Sequence, residues 1–374
     1  MANFLWLHLK KLDWILISSI LLLCAIGSLV LFGIDAGEGT GNFFPRQILF
    51  IAMGLTAMLG LSFFDFRILK NNSVILIILY AFAFISLVAV LIFGVKIRGT
   101  FAWFRFGSFN FEPVEFAKIV LILILAKYFS SRHVEMYRIR HIVISVFWAG
   151  IPLILVLLQP DLGSALILVS IWLGVVILSG IKPRHLFIVL VSGILLSLMS
   201  WFFVLKPYQH QRILTYLNVA KDPLGYSYNS IQSKIAIGSG GFWGKGLGYG
   251  TQGQLDFLPE KQSDFIFAIF AEEFGLTGVL ALFAVFLLFF WRLIKIIFNC
   301  NNNFFRLFIS GFAVMIFGQI FINVGMNLGL LPITGISLPF ISYGGSNLLI
   351  NFIALGIIEN IVTHSKKRLM AEMS

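Results

Sequence analysis

Carboxylates, lysines and glycines crowd into a few short stretches of this chain, and any chemistry it performs is to be sought there. Asp264 closes the run TQGQLDFLPEKQSDFIF (251–267), where an apolar segment begins. Glu260 and Lys261 precede it, and Glu272 and Glu273 follow two helical turns on. A carboxylate at a helix N-terminus is favoured by the helix dipole, so Asp264 is either a cap or a general base beside a pocket. Just upstream, KIAIGSGGFWGKGLGYG (234–250) carries a glycine at nearly every second position. Glycine lets the backbone turn tightly or approach a ligand, and Lys245 among these glycines could meet a phosphate. A flexible connector is the alternative, but aromatic and basic residues interleave here instead of the Ser and Gln of a linker.

Three further stretches stand out. In RGTFAWFRFGSFNFEPVEFAK (98–118), Glu115 and Lys118 are three residues apart and share one face of a helix. They lie at the mouth of an apolar segment, where an unpaired charge would cost roughly 2–3 kcal/mol or more. A structural ion pair and a direct chemical role both fit that placement. In QPDLGSA (159–165), Asp161 can cap the helix that follows. In NVGMNLGLLPITGISLPFISYGGSNLL (323–349), Asn, Thr, Ser, Gly and Pro mix at membrane depth. Irregular backbone is tolerated there only against protein or a water-filled cavity.

The elements that must position these residues follow from composition. Of 374 residues 59% are hydrophobic and only 11% charged, with a mean hydropathy of +0.97. A water-soluble domain carries about a quarter charged residues, so this chain requires lipid as solvent. A span needs roughly 20 apolar residues, and ten such runs are expected near 14–34, 46–64, 73–94, 115–129, 142–158, 163–180, 185–205, 265–291, 306–328 and 345–362. They lack the alternation of barrel strands. The fold class is an all-α polytopic membrane protein, a single domain over 1–374 with a long extracytoplasmic loop, about 206–264, between the seventh and eighth spans.

With the N-terminus inside, the inner loops collect 16 of the 27 Lys and Arg. That satisfies the positive-inside rule and predicts both termini in the cytoplasm. The net charge of +11 is spread over short loops as a topology signal and a contact for anionic lipid, and does not imply nucleic acid. Cys24 and Cys300 predict no disulfide, and the six scattered histidines show no metal-ligand spacing. Within 206–264, residues 226–237 suit an amphipathic helix in the membrane interface, with Lys234 beside its polar face.

Several motifs, in order, identify a resemblance. KIAIGSGG (234–241), GKG (244–246), the TQ, LDFLPE, DFIFA and AEEFG elements ending at Gly275, QPDLGSA, and the GLLP, TG, LPF and SYGGS elements are similar to those of the shape, elongation, division and sporulation (SEDS) family of bacterial peptidoglycan glycosyltransferases. The resemblance runs from Asp13 to the tenth span. It implies a bundle of ten transmembrane helices that polymerises lipid II into glycan strands on the outer membrane face, with a class B penicillin-binding protein and other membrane proteins of the elongation machinery as partners. The family's catalytic aspartate carries over to Asp264, and its Glu and Lys of the P-S-E-F-A-K motif to Glu115 and Lys118. The usual Gln-Pro-Ser-Glu is here Glu112-Pro113-Val114-Glu115, and Ala102 precedes Trp103.

That reaction needs a base for the attacking sugar hydroxyl and positive charge for a departing pyrophosphate. Asp264 is the candidate base. Arg212, Lys234 and Lys245, with Lys118, are candidates for the pyrophosphate, and Glu260 for binding substrate. A divalent cation could bridge pyrophosphate and Asp264, although no ligand set is legible. A lipid-linked precursor flippase and a non-catalytic scaffold for a penicillin-binding protein are the rival readings. Concentration of the polar residues on one face speaks against a transport path.

Overall fold

The computed structural model describes residues 2–38, 42–97, 100–107, 109–132, 139–203, 210 and 228–372. Helices occupy all ten positions expected of spans: α2 (Trp14–Glu38), α3 (Phe43–Ser62), α5 (Ser73–Phe93), α6 (Pro113–Arg132), α7 (Ile139–Leu158), α8 (Leu162–Leu178), α9 (Pro183–Phe203), α12 (Ile266–Asn299), α13 (Asn303–Asn327) and α14 (Gly345–Glu372). Shorter helices among the described residues include α1 (Ala2–Lys11), α4 (Arg67–Asn71), α10 (Tyr228–Ser239) and α11 (Thr251–Gln254). Seven helices among the described residues are long and apolar enough to cross a membrane, and α8 and α9 contain shorter apolar stretches. The chain is an all-α multi-pass membrane protein.

Burial sorts these helices into layers. Helix α6 is buried nearly all round, from Val114 through Ala126 apart from Phe116, as expected of a helix that is apolar on every face. It packs on α5, α8 and α13. Helix α14 packs on α3, and α2 on α12, while α5 and α9 present Ile85, Ile92, Ile194 and Phe202 outward. Local sequence sets the ends: Asn72 and Asn302 accept the backbone N–H of Val74 and Phe304 (both 3.0 Å) and cap α5 and α13, while Pro113 opens α6, where its missing N–H costs nothing.

One end of the bundle is fastened by charge. Arg292 Nε lies 2.7 Å from both carboxylate oxygens of Asp13, and the Asp13 N–H donates to Glu359 Oε2 at 2.9 Å. This joins the start of α2 to a late turn of α12 and to the middle of α14. At the opposite end stands a feature absent from the sequence expectation, a small antiparallel sheet of β1 (Val95–Ile97), β2 (Thr100–Phe106) and β3 (Phe109–Phe111) in that order. Val95 pairs with Trp103 and Arg105 with Asn110. The aromatic, alternating run TFAWFRF is a good strand, but in so apolar a chain it does not stand out from the spans around it.

Candidate active site

The LPEKQSD run folds as a tight turn because its own polar groups close it. The Glu260 backbone is left-handed (φ 57°), and its carbonyl accepts the N–H of Ser263 (3.0 Å) and Asp264 (3.1 Å). Its carboxylate accepts from Ser263 Oγ at 3.2 Å and Gln262 Nε2 at 3.3 Å. Buried Lys261 fixes the preceding segment by donating to the Gly253 carbonyl and to Asp256, both at 2.6 Å. Neighbouring elements then clamp the turn. Ser342 Oγ donates to the Ser263 carbonyl (2.7 Å), and the Tyr343 N–H to the Gln262 carbonyl (2.9 Å). The fully buried amides of Asn323 and Asn327 donate to the Asp264 carbonyl at 3.1 and 3.0 Å.

Helix α12 starts at Ile266 with Phe265 as its N-cap, so Asp264 stands one residue outside the helix. Its half-buried side chain faces Gly335, at φ 79°; a Cβ there would lie 3.6 Å from Asp264 Oδ2. Backbone is thus fixed on three sides while the carboxylate reaches a cavity of about 550 Å³.

The other wall of that cavity comes from β2, β3 and the starts of α6 and α8: Trp103, Asn110, Glu112, Glu115, Asp161 and Ser164. Ser346 of α14 ties it in place, donating to the Asn110 carbonyl (2.6 Å) and accepting the Glu112 N–H (3.2 Å). Glu115 accepts from Lys118 Nζ at 2.8 Å, and Lys118 is fully buried behind the wall. Asp161 caps α8 by accepting the Ser164 N–H at 3.0 Å, as its spacing suggested, and it lines the cavity as well. Burial, with the carboxylates of Glu115 and Asp161 nearby, holds the Glu112 carboxyl well above the usual carboxylate range; Lys118 and the Trp103 indole oppose that shift.

The structure brings Glu115, Glu260 and Asp264 to one cavity, with Lys118 paired behind it. Lys234 and Lys245 do not line it. Lys234 is exposed and its methylenes lie over Gly329, while Lys245 Nζ is held by buried Glu272 at 2.7 Å and by Thr251 at 3.0 Å. Arg212 lies outside the described residues. Sequence reasoning did not single out Glu112, Trp103, Asn229 or Gln319 as cavity residues. Glu112 carried the one available signal, an acid directly before the proline that opens a buried helix.

Among the described residues no Lys or Arg lines the cavity. No group of three His, Cys, Asp or Glu able to hold a metal ion occurs among the described residues. The arrangement offers a fixed carboxylate for proton transfer, opposite an acidic, hydrogen-bonding wall.

Comparison with known proteins agrees in sequence and in fold. The family model described as cell cycle protein FtsW/RodA/SpoVE matches residues 10–367. The chain is similar to the peptidoglycan glycosyltransferase MrdB of Escherichia coli K12, 38% identical over 355 residues, covering 95% of this chain and 94% of that one. Its structure is similar to a chain from work on the coordination of polymerization and crosslinking by a peptidoglycan synthase complex, with a TM-score of 0.80 and 31% identity over 95% of this chain and 98% of that one. The Thermus thermophilus rod shape determining protein RodA superposes with a TM-score of 0.69 at 29% identity, over 94% and 96% of the two chains. With helices at all the expected positions, a fixed aspartate at the cavity and a family match over almost the whole length, the chain belongs to the FtsW/RodA/SpoVE, or SEDS, family.

Proposed function

We propose that this protein is a peptidoglycan glycosyltransferase of the RodA type, which polymerises lipid II into glycan strands on the outer face of the cytoplasmic membrane during cell elongation and rod-shape maintenance. The observation that carries this reading is Asp264. Its carbonyl is fixed by Asn323 and Asn327, and its side chain lines a cavity of about 550 Å³ at the end of the bundle away from the Asp13–Arg292 ion pair. In the proposed reaction the Asp264 carboxylate takes the proton of the attacking sugar hydroxyl. The hydroxyl oxygen bonds to the anomeric carbon as the bond from that carbon to the pyrophosphate breaks. This is a single displacement with inversion, and it releases polyprenyl diphosphate.

Glu260 shapes the turn that presents Asp264, and the wall of Glu112, Glu115 and Asp161 offers hydrogen-bonding groups to the sugars. Positive charge for the pyrophosphate is assigned to Arg212 and Lys234; Lys118 is committed to Glu115 and Lys245 to Glu272. No step is routed through a metal ion. The excess of basic residues at the Asp13 end supports a cytoplasmic location for both termini. Similarity to a chain of a peptidoglycan synthase complex supports a class B penicillin-binding protein as partner, alongside other membrane proteins of the elongation machinery.

The test uses purified chain and lipid II in detergent, with and without a penicillin-binding partner. There is no bilayer to cross, so glycan polymer can come only from catalysis. Absence of polymer from well-folded protein in both arms would return the flippase and scaffold readings.

A further inference from the structure

Helix α12 breaks at Gly275, whose φ of 63° and ψ of −165° are not helical. Before the break, Ile266 through Glu273 are buried without exception. After it, residues 276–299 form a rod of about 36 Å at 1.5 Å per residue, of which the apolar stretch up to Arg292 supplies about 24 Å, most of a hydrocarbon core of about 30 Å. Leu276, Leu280 and Leu287 are exposed along that rod, so the lipid-facing part begins directly after Gly275. On the cavity side, the bilayer surface therefore falls near Gly275.

A second segment is fastened at that level. The N–H groups of Lys245 and Gly246 donate to the Glu272 and Glu273 carbonyls at 3.0 and 2.9 Å, and those of Leu276 and Thr277 donate to the Gly241 and Phe242 carbonyls at 2.9 and 3.1 Å. These bonds satisfy backbone groups that the helix break frees. A Cβ at Gly240 or Gly244 would overlap the Ala271 or Glu273 carbonyl, so the segment lies pressed against the helix. Glu273 Oε1 accepts the Gly248 N–H at 3.0 Å. A backbone held this firmly turns its large side chains outward: Phe242 is 69%, Trp243 83% and Tyr249 76% exposed. None of the three lines the cavity.

We propose that Phe242, Trp243 and Tyr249 form an interfacial anchor, a rigid wedge set into the boundary between headgroups and acyl chains of the leaflet on the cavity side. Aromatic side chains are enriched at that depth because an apolar ring and a polar edge are both accommodated there. The patch continues the lipid-facing surface of Leu276 and Leu280, which identifies phospholipid as its occupant. The wedge fixes the height of the Glu260–Asp264 turn over the leaflet. Only the use of that height to meet a lipid-linked substrate rests on the proposed reaction; the insertion itself does not.

The test is therefore independent of turnover. Cys24 and Cys300 are buried, so a spin label attached through Trp243→Cys reports one site in full-length chain reconstituted in phosphatidylcholine vesicles. Its collisions with oxygen and with a water-soluble nickel chelate are compared with labels at Leu280→Cys, on the lipid-facing helix, and at Asn301→Cys, in the connection to α13. The anchor predicts an oxygen-to-chelate ratio several-fold above that of Asn301→Cys and approaching that of Leu280→Cys. A ratio equal to that of Asn301→Cys, or shielding from both reagents, overturns it. A label at Phe242→Cys, with Trp243 intact, must give the same ordering.

Discussion

Lys118 Nζ lies 2.8 Å from Glu115 Oε1, and the lysine is completely buried on the far side of the wall that Glu115 presents to the cavity. The lysine thus reaches the cavity only through Glu115, and the pair fixes one of its walls. Removing one partner of a buried ion pair costs about 3–5 kcal/mol because the other charge is stranded. Lys118→Ala is expected to lower the melting temperature in detergent together with polymerisation. The exchange of Glu115→Lys with Lys118→Glu should recover part of both. Lys118→Ala protein that melts like wild type yet makes no glycan would move the lysine into the chemistry.

Glu112 gives the site a pH dependence. Its carboxyl is held above the ordinary range by burial, Glu115 and Asp161, so the folded chain keeps that proton at a pH where the unfolded chain has lost it. The resulting stability is fully present below the ordinary glutamate pKa and is lost as pH rises through the elevated one. Melting temperatures followed from mildly acidic to mildly alkaline pH should fall for wild type and fall less for Glu112→Gln. Parallel profiles for the two proteins would show that Glu112 is not the group responsible.

The glycine-rich segment separates two kinds of glycine. Gly244 has φ 79° and would place a Cβ on the Glu273 carbonyl, whereas Gly238 lies in α10 with open space around it. The left-handed backbone alone costs an alanine about 1–2 kcal/mol, so Gly244→Ala should lower the melting temperature clearly. Gly238→Ala should be neutral or stabilising by up to about 1 kcal/mol. Equal effects at the two positions would contradict the close approach of this segment to α12.

Orientation is tested by thiol labelling. Leu255 is exposed beside the cavity turn and Asn301 lies in the connection between α12 and α13. In intact cells, Leu255→Cys should react with a membrane-impermeant maleimide, and Asn301→Cys only after permeabilisation. The reverse pattern would invert the topology and remove the site from the outer face.

The helices were legible because long apolar runs have one physical solution in lipid, and Asn72, Asn302 and Pro113 mark three of their starts. The turn at Asp264 was legible as a cluster of charge beside glycines. What could not be read was contact between distant residues. Lys245 looked like a free cation among glycines until Glu272, 27 residues away, was found to hold it. Asn323 and Asn327 were visible only as polar groups at membrane depth, and their service to the Asp264 carbonyl depends on how α13 docks. The break at Gly275 is hidden because one glycine among leucines and phenylalanines reads as helix. The strand pairing of 95–111 was lost in the aromatic background.

The central claim is that Asp264 acts as the base, and Asp264→Asn tests it most directly. The hydrogen bonds from Asn323 and Asn327 go to the main-chain carbonyl, so the substitution leaves them in place. A comparable loss of a helix cap costs only about 0.5–2 kcal/mol, whereas general base catalysis contributes roughly 10²–10⁴-fold. Initial rates of glycan polymerisation from lipid II should be measured for purified wild type and Asp264→Asn of matched melting temperature, each with its partner. The account predicts a rate at least about 10²-fold lower for Asp264→Asn; a rate within a few-fold of wild type would contradict it.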